Sequence, residues 1–425
     1  MTPGSRIAIV LSLILAGATA PACSSNAGGQ QANGLQTSSV GGAGNAASGG
    51  GFGSGGAPAA AVTGAGGMGA NVPAANPGSG GSSAGSGGMM SMAGGSGTAG
   101  MMVASGGSGA PDAGTTDMTG AHDAGGGGAG DCGMRTGMRG KTSRSVTVAG
   151  VQRTFIAYLP PMASPTTPLP FVYVFHGATQ TGQNLYDMTE YAKLADSEGI
   201  ALVFPDGQDT SSATGVGSLT PWNVSDGPLV CGLGTLVSNP NAVDFEFVDA
   251  MRSDVQQDQC LDSKHVYATG FSMGGYFTHH IACDRPDFRA AAPHSGGTMA
   301  DLSTCTTGHV PIIIFHGTAD PLIADNCDDP MASPDPSFSA SATLWAMKNG
   351  CKTTYTTTPT NGTGGNGSCY LYDGCPADGQ VEMCAFQDMG HCWAGAPVCP
   401  GCIGEGPNYA SATKLEWDFF KKYAW

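Results

Sequence analysis

His265-Val-Tyr-Ala-Thr-Gly-Phe-Ser-Met-Gly-Gly-Tyr276 decides how the rest of this chain is read. Its first part, His265–Phe271, is a β-branched and aromatic run with strand character, and Met273–Cys283 carries a helical pattern. Ser272 stands between them, in Gly270-Phe-Ser-Met-Gly274. A chain that passes from strand to helix this quickly turns sharply, and side chains at 270 or 274 would collide across the turn. The turn lifts the Ser272 hydroxyl clear of the sheet. It also leaves the Met273 amide at a helix N-terminus, where backbone N–H groups stabilise negative charge. With 70 glycines the chain could meet Gly-x-Ser-x-Gly by chance, but this copy lies outside the Gly-rich tail and in a strand–turn–helix setting.

Around this turn, apolar β-branched runs alternate with helical patterns, the mark of an α/β sheet. Ser145–Ala149 and Arg153–Leu159 read as an opening hairpin. Phe171–Phe175 is a continuous apolar run, as a central strand buried on both faces requires. Further strands are expected at Ile200–Phe204, Ala290–Ala292, Pro311–Phe315 and Val381–Phe386. Helices are expected at Met188–Ser197, after Asp244, at Ser339–Asn349 and at Tyr409–Tyr423. Gly-x-Ser-x-Gly in this context is the nucleophile elbow of the α/β-hydrolases. The expected fold is therefore an α/β-hydrolase: a central, mostly parallel sheet flanked by helices, preceded by a disordered Gly-rich tail.

A nucleophilic serine needs a base, and the base needs an orienting carboxylate, in the chain order Ser, acid, His. After the strand Pro311–Phe315 comes His316-Gly-Thr-Ala-Asp320, and after Val381–Phe386 comes Gln387-Asp-Met-Gly-His391. Asp320 and His391 thus fall on loops at strand ends. Asp325, Asp328 and Asp329 are further from the strand end and could instead form a calcium loop. Asp388 is too close to His391 to orient its ring. His265 opens the elbow strand at its wrong end, and His294, His309 and His316 precede the acid loop. Of His279 and His280, on the helix after the elbow, one is expected in the core and the other at the surface. His176 is assigned to loop structure. The second oxyanion donor, beside the Met273 amide, is expected from Phe175-His-Gly-Ala-Thr-Gln180, at the amide of Ala178. Trp222 and Trp393 could form an aromatic wall for a planar or sugar substrate, or pack in the core.

Outside this domain, residues 1–23 read as an export signal. Arg6 supplies the positive region, Ile7–Ala16 the apolar run, and Ala20-Pro-Ala22 the small residues at a cleavage site. Cys23 follows directly, as in a lipoprotein signal, although Ala20 stands where leucine is usual. Ordinary secretion is the alternative. Residues 24–131 contain no Lys or Arg, and Phe52 is their only aromatic. Such a stretch cannot bury enough apolar surface to offset its ordering entropy. It would be a disordered linker spanning roughly 55–60 Å, either a tether or a low-complexity expansion. Residues 132–425 remain for one esterase domain with a substantial core. The net charge of −16 argues against nucleic-acid or anionic-membrane partners, leaving a lipid anchor at Cys23 as the only expected membrane contact. The 14 cysteines fit a disulfide framework in an oxidising compartment. The rival is zinc at Cys399 and Cys402 with Cys384, Cys392 and His391, but no second regularly spaced pair is present.

Six separated motifs recur in order: His176-Gly-Ala-Thr-Gln, Pro205-Asp-Gly, Trp222-Asn, Val266-Tyr-Ala-Thr-Gly-Phe-Ser-Met-Gly-Gly, His316-Gly-Thr-Ala-Asp-Pro and Gly390-His-Cys-Trp. Over residues 145–425 the chain resembles the polyhydroxybutyrate depolymerase-like branch of family 1 carbohydrate esterases, which includes feruloyl and acetylxylan esterases. The resemblance implies no metal and no cofactor, a triad of Ser272, Asp320 and His391, and an oxyanion hole at the Ala178 and Met273 amides. It implies hydrolysis of an ester-bearing carbohydrate, feruloyl or acetyl groups on xylan, or of a polyester such as polyhydroxybutyrate. Ala178 replaces a cysteine frequent in the family, and Cys392-Trp-Ala-Gly replaces Thr-Trp-Pro-Gly. With the cysteines from Cys369 to Cys402, this points to a re-stapled rim. A surface binding module that has lost catalysis is the expectation from another class.

Overall fold

The computed structural model describes residues 132–209, 219–224, 242–323, 339–362, 366–398 and 408–423. The proposed signal and linker, Cys399, Cys402 and the acidic residues Asp325, Asp328 and Asp329 lie outside them.

Phe171-Val-Tyr-Val-Phe175 forms the heart of strand β3 (Leu169–Phe175), with every residue from Phe171 to Phe175 buried. Successive side chains in a strand point to opposite faces. Phe171, Tyr173 and Phe175 therefore enter one apolar layer while Val172 and Val174 enter the other. Each such fully buried side chain contributes about 1.5–3 kcal/mol of transfer free energy.

Nine further strands complete one sheet: β1 (Gly140–Val148), β2 (Val151–Leu159), β4 (Ala201–Pro205), β5 (Leu261–Phe271), β6 (Ala290–His294), β7 (Ile312–Gly317), β8 (Tyr355–Asn361), β9 (Asn366–Tyr372) and β10 (Val381–Phe386). Their order is β1-β2-β4-β3-β5-β6-β7-β10-β9-β8. The stretch from β4 to β10 is parallel, and antiparallel pairs stand at both edges.

Among the described residues, six α-helices cover the two faces. On one lie α3 (Asp244–Asp258), α4 (Met273–Asp284) and α5 (Ala340–Lys348); on the other lie α1 (Gly182–Met188), α2 (Tyr191–Glu198) and α6 (Ala412–Phe420). In α3, Phe247, Val248, Met251 and Val255 face the core, a helical stripe at the expected spacing.

The expected helix Met188–Ser197 is found as α2, starting at Tyr191, whereas α1, which ends at Met188, was not expected. Thr181 caps α1 in a reciprocal capping box with Asn184, and Glu190, at φ 56°, separates it from α2. The hairpin β8–β9 is an element that the sequence reading missed. The expectation for His279 and His280 also needs correction, because both are buried. His279 Nδ1 accepts the Trp345 Nε1–H at 2.9 Å, and His280 Nδ1 lies 3.0 Å from the Asn223 carbonyl.

Four disulfides staple the described residues: Cys132–Cys260, Cys283–Cys305, Cys351–Cys375 and Cys369–Cys384. Cys369 and Cys384 are direct partners in the β9–β10 register. The Cys132–Cys260 bridge closes a separation of 128 residues, and cross-linking a loop of that length stabilises by about 3–5 kcal/mol on chain-entropy grounds.

The chain passes from β3 to β4 on one side of β3, then returns to place β5 on the other. Ligands of open α/β sheets bind beyond the carboxyl ends of strands at such a reversal. The residues beyond the ends of β3 and β5 are His176-Gly177-Ala178 and Ser272.

Candidate active site

Ser272 follows β5 directly and caps α4, with φ 56° and ψ −115°. A non-glycine residue there carries about 1–3 kcal/mol of backbone strain, which the surroundings must hold. They do so closely. The Ser272 N–H donates to the His294 carbonyl at 2.8 Å, and the Tyr276 N–H to the Ser272 carbonyl at 3.1 Å. A Cβ at Gly270 would sit 2.4 Å from the Gly274 carbonyl oxygen, and one at Gly274 would sit 2.2 Å from that of Phe175. The glycines flanking Ser272 are therefore required by contact distance, as expected from the pattern alone.

The loop after β3 is held against this turn. A Cβ at Gly177 would lie 3.2 Å from Ser272 Cβ, and the Gly177 N–H donates to Gln180 Oε1 at 2.9 Å. The Ala178 carbonyl accepts from the Thr220 N–H at 2.9 Å. His176, an element of loop structure as expected, is buried. Burial pushes its imidazole down to about 4, against a backbone contact to Gly177 that works the other way. The ring is therefore neutral at pH 7. Its Nε2 accepts the Gly207 N–H at 2.8 Å, which leaves Nδ1 to donate to the Gly177 carbonyl at 2.7 Å.

Asp320 and His391 come together at the ends of neighbouring parallel strands, β7 and β10. His391 Nδ1 lies 2.7 Å from Asp320 Oδ2, both side chains being buried. The other carboxylate oxygen, Oδ1, accepts the N–H groups of Leu322 and Ile323, each at 2.9 Å. Burial alone would raise this carboxyl. The imidazoles of His391 and His316 outweigh it and hold the group well below the usual carboxylate range. Two loops must press together for this pairing, and Gly317 permits it, since a Cβ there would lie 2.2 Å from the Met389 carbonyl oxygen. The Ala319 N–H donates to that same carbonyl at 3.0 Å, and the Asp388 N–H to Thr318 Oγ1 at 2.9 Å. The His391 ring packs on Phe271, centroids 4.7 Å apart, immediately before Ser272.

His316 is a neighbour that the sequence reading set aside. Its Nε2 lies 2.7 Å from the Ile323 carbonyl and 3.2 Å from Asp320 Oδ2. The signal was the i, i+4 spacing of His316 and Asp320 across one tight loop.

Of the two alternatives for Trp222 and Trp393, an aromatic wall or core packing, burial selects the second. Trp222 donates Nε1–H to the His176 carbonyl at 2.9 Å and stacks on Phe277. Trp393 donates to Thr413 Oγ1 at 3.0 Å and stacks on His294. Both side chains are fully enclosed, so each supports the loop behind the site rather than a substrate face. The group Cys369, Glu382 and Cys384 has metal-ligand types within reach of one another. Its two sulfurs are bonded to each other, so neither offers a thiolate. An arrangement of strained serine, neutralised loop and carboxylate-bound imidazole suits acyl transfer by a nucleophilic hydroxyl.

Residues 147–349 match the family model described as "Esterase". Feruloyl esterase B of Piromyces equi is 26% identical over 265 residues, covering 60% of this chain and 42% of that protein. Feruloyl esterase C of Emericella nidulans is 32% identical over 192 residues, covering 44% of this chain and 62% of that protein. A bifunctional acetylxylan esterase/xylanase of Neocallimastix patriciarum is 32% identical over 175 residues, covering 41% and 22% respectively. The matches span less than two thirds of each relative. With its mostly parallel sheet flanked by helices and its strand–serine–helix elbow, the chain has the α/β-hydrolase fold, and it is similar to esterases over residues 147–349.

Proposed function

We propose that the chain is a serine carboxylic ester hydrolase acting on feruloyl or acetyl esters of plant xylan. The observation that carries the reading is the buried 2.7 Å contact between His391 Nδ1 and Asp320 Oδ2, beside the Ser272 elbow. In this mechanism the Ser272 hydroxyl attacks the ester carbonyl while His391 Nε2 takes its proton. The oxyanion is held by the Ala178 and Met273 amides. The tetrahedral adduct then collapses: the bond to the leaving oxygen breaks, and His391 returns the proton to that alcohol. Water, deprotonated by the same nitrogen, attacks the acyl-enzyme, and the carboxylic acid leaves with Ser272 restored. Asp320 stays ionised throughout and orients the imidazole. All the bonds made and broken are accounted for by serine, imidazole and water.

The substrate class is supported by the names of the relatives, two feruloyl esterases and an acetylxylan esterase/xylanase. A feruloyl ester, an acetylated xylan and a hydroxybutyrate oligomer assayed side by side test it. The reading expects one of the first two to exceed the oligomer by about tenfold or more in kcat/KM, a ratio within reach of ordinary pocket discrimination. The reverse ranking would overturn the substrate class in favour of a polyester, and inactivity on all three would remove both.

The proposal includes export, with residues 1–23 as the signal, Cys23 as a lipid anchor, residues 24–131 as the tether and residues 132–425 as the catalytic domain. The four disulfides among the described residues suit an oxidising compartment. Cell fractionation that recovered the chain in the cytoplasm would remove this part of the proposal.

A further inference from the structure

One buried ionisable pair plays no part in that mechanism. Glu416, on α6, and His294, at the end of β6, are both excluded from solvent. Glu416 Oε2 lies 2.7 Å from His294 Nε2 and 2.8 Å from Thr269 Oγ1. Thr269 Oγ1 is in turn 2.7 Å from the Ala292 carbonyl. Burial pushes the carboxyl well above its ordinary range and the imidazole well below, which favours the uncharged form of each. One assignment of hydrogens in the uncharged pair serves these three contacts, and Tyr191 is a further hydrogen-bond partner of the carboxyl. The Glu416 hydroxyl donates to Thr269, the Thr269 hydroxyl donates to the Ala292 carbonyl, and His294 Nε2–H donates to Glu416.

His294 touches both halves of the site. Its carbonyl accepts the Ser272 N–H at 2.8 Å, and Gly275 approaches so closely that a Cβ there would lie 2.5 Å from the same oxygen. Its ring is sandwiched between Phe315, at 4.3 Å and 11°, and Trp393, at 3.6 Å and 10°. Trp393 lies two residues beyond His391, and its Nε1–H is fixed by Thr413, also on α6. The elbow, the loop of the base and the last described helix therefore meet at one imidazole.

Taking Ser272 and His391 as nucleophile and base, we propose that Glu416 is a positioning residue. Its hydrogen bond fixes the His294 ring, and that ring sets the Ser272 turn through its own backbone and the His391 loop through Trp393. The competing account is packing alone, in which a neutral buried pair adds rigidity without bearing on the reacting atoms.

Glu416→Leu, Glu416→Gln and His294→Phe in the full chain separate the two, measured by kcat, KM, thermal midpoint and the pH profile of kcat. Misplacement of reacting groups by a fraction of an ångström lowers the rate of the chemical step rather than substrate binding. E416L is expected to lose about 10–100-fold in kcat with KM changed by no more than about threefold. E416Q, whose amide nitrogen can donate one hydrogen to Thr269 Oγ1 and the other to His294 Nε2 in the ring's other tautomer, is expected to recover most of that loss with an unshifted pH profile. H294F keeps the ring stack and loses the bond, and should share the kcat loss; it takes the place of E416L if the leucine variant does not fold. Wild-type kcat in folded E416L or H294F would overturn the proposal, as would equal impairment of E416Q and E416L. Ser272→Ala, run alongside, keeps the two readings apart. Turnover by S272A would defeat the nucleophile assignment itself, whereas an inactive S272A with a fully active E416L would defeat only the role of Glu416.

Discussion

Replacing Ser272 by alanine is expected to lower kcat by roughly 10⁵–10⁶-fold on any ester the chain hydrolyses, the scale of loss seen when a serine nucleophile is removed from a triad. The size follows from what remains. Without the hydroxyl there is no acyl-enzyme, and only binding and the oxyanion-hole amides are left to assist attack by water. The backbone around position 272 is held by contacts that alanine keeps, among them the 2.8 Å bond from its N–H to the His294 carbonyl. Thermal stability and KM should therefore change little. Measured kcat and thermal midpoint together check this, and a loss of activity matched by a loss of folding would point to the turn rather than the nucleophile.

Asp320→Asn is expected to give the second largest effect, about 10⁴-fold in kcat. Asp320 Oδ2 holds His391 Nδ1 at 2.7 Å while Oδ1 takes two backbone N–H groups. An asparagine can keep the shape, but it can present its amide nitrogen to His391 and favour the tautomer that cannot accept the serine proton. Asp320 also bears on stability. Its folded pKa lies below the unfolded value of about 3.9, so its contribution is fully present above roughly pH 4 and is lost as pH falls through the folded value. Activity assays at neutral pH on D320N therefore separate the tautomer effect from acid unfolding. Wild-type kcat in folded D320N would remove Asp320 from the site.

Much of this site was legible because its parts are governed by contact distances and short spacings. Gly270 and Gly274 announce the elbow since no other residue fits against the backbone of residues 274 and 175. Asp320 and His391 could be placed because each follows an apolar run by a few residues, and the two runs, β7 and β10, are neighbours in the sheet. The edge hairpin was not legible. Tyr355-Thr-Thr-Thr-Pro-Thr-Asn361 is mostly exposed and shows no apolar alternation, and its partner is secured by the Cys369–Cys384 bridge, a pairing that sequence alone does not give. The break at Glu190 was hidden for a different reason: a glutamate in the left-handed region carries no glycine signal, and the capping box that starts α1 uses Asn184 where Glu or Gln is usual.

The tryptophans show where residue type misleads. Trp393 stands two residues beyond His391 and Trp222 packs against His176, yet each spends its indole N–H on a buried acceptor. An aromatic ring next to a reactive residue supports it from behind as readily as it faces a substrate, and only burial decides between the two.

The central claim is that the Ser272 hydroxyl is the attacking group, and covalent labelling by an organophosphonate ester tests it most directly. Intact-mass and peptide mapping should find a single adduct, on the peptide containing Gly270-Phe-Ser-Met-Gly274, formed by the wild-type chain, greatly slowed in His391→Ala and absent in Ser272→Ala. No adduct on the folded wild-type chain, or an adduct on another residue that survives Ser272→Ala, would contradict the account.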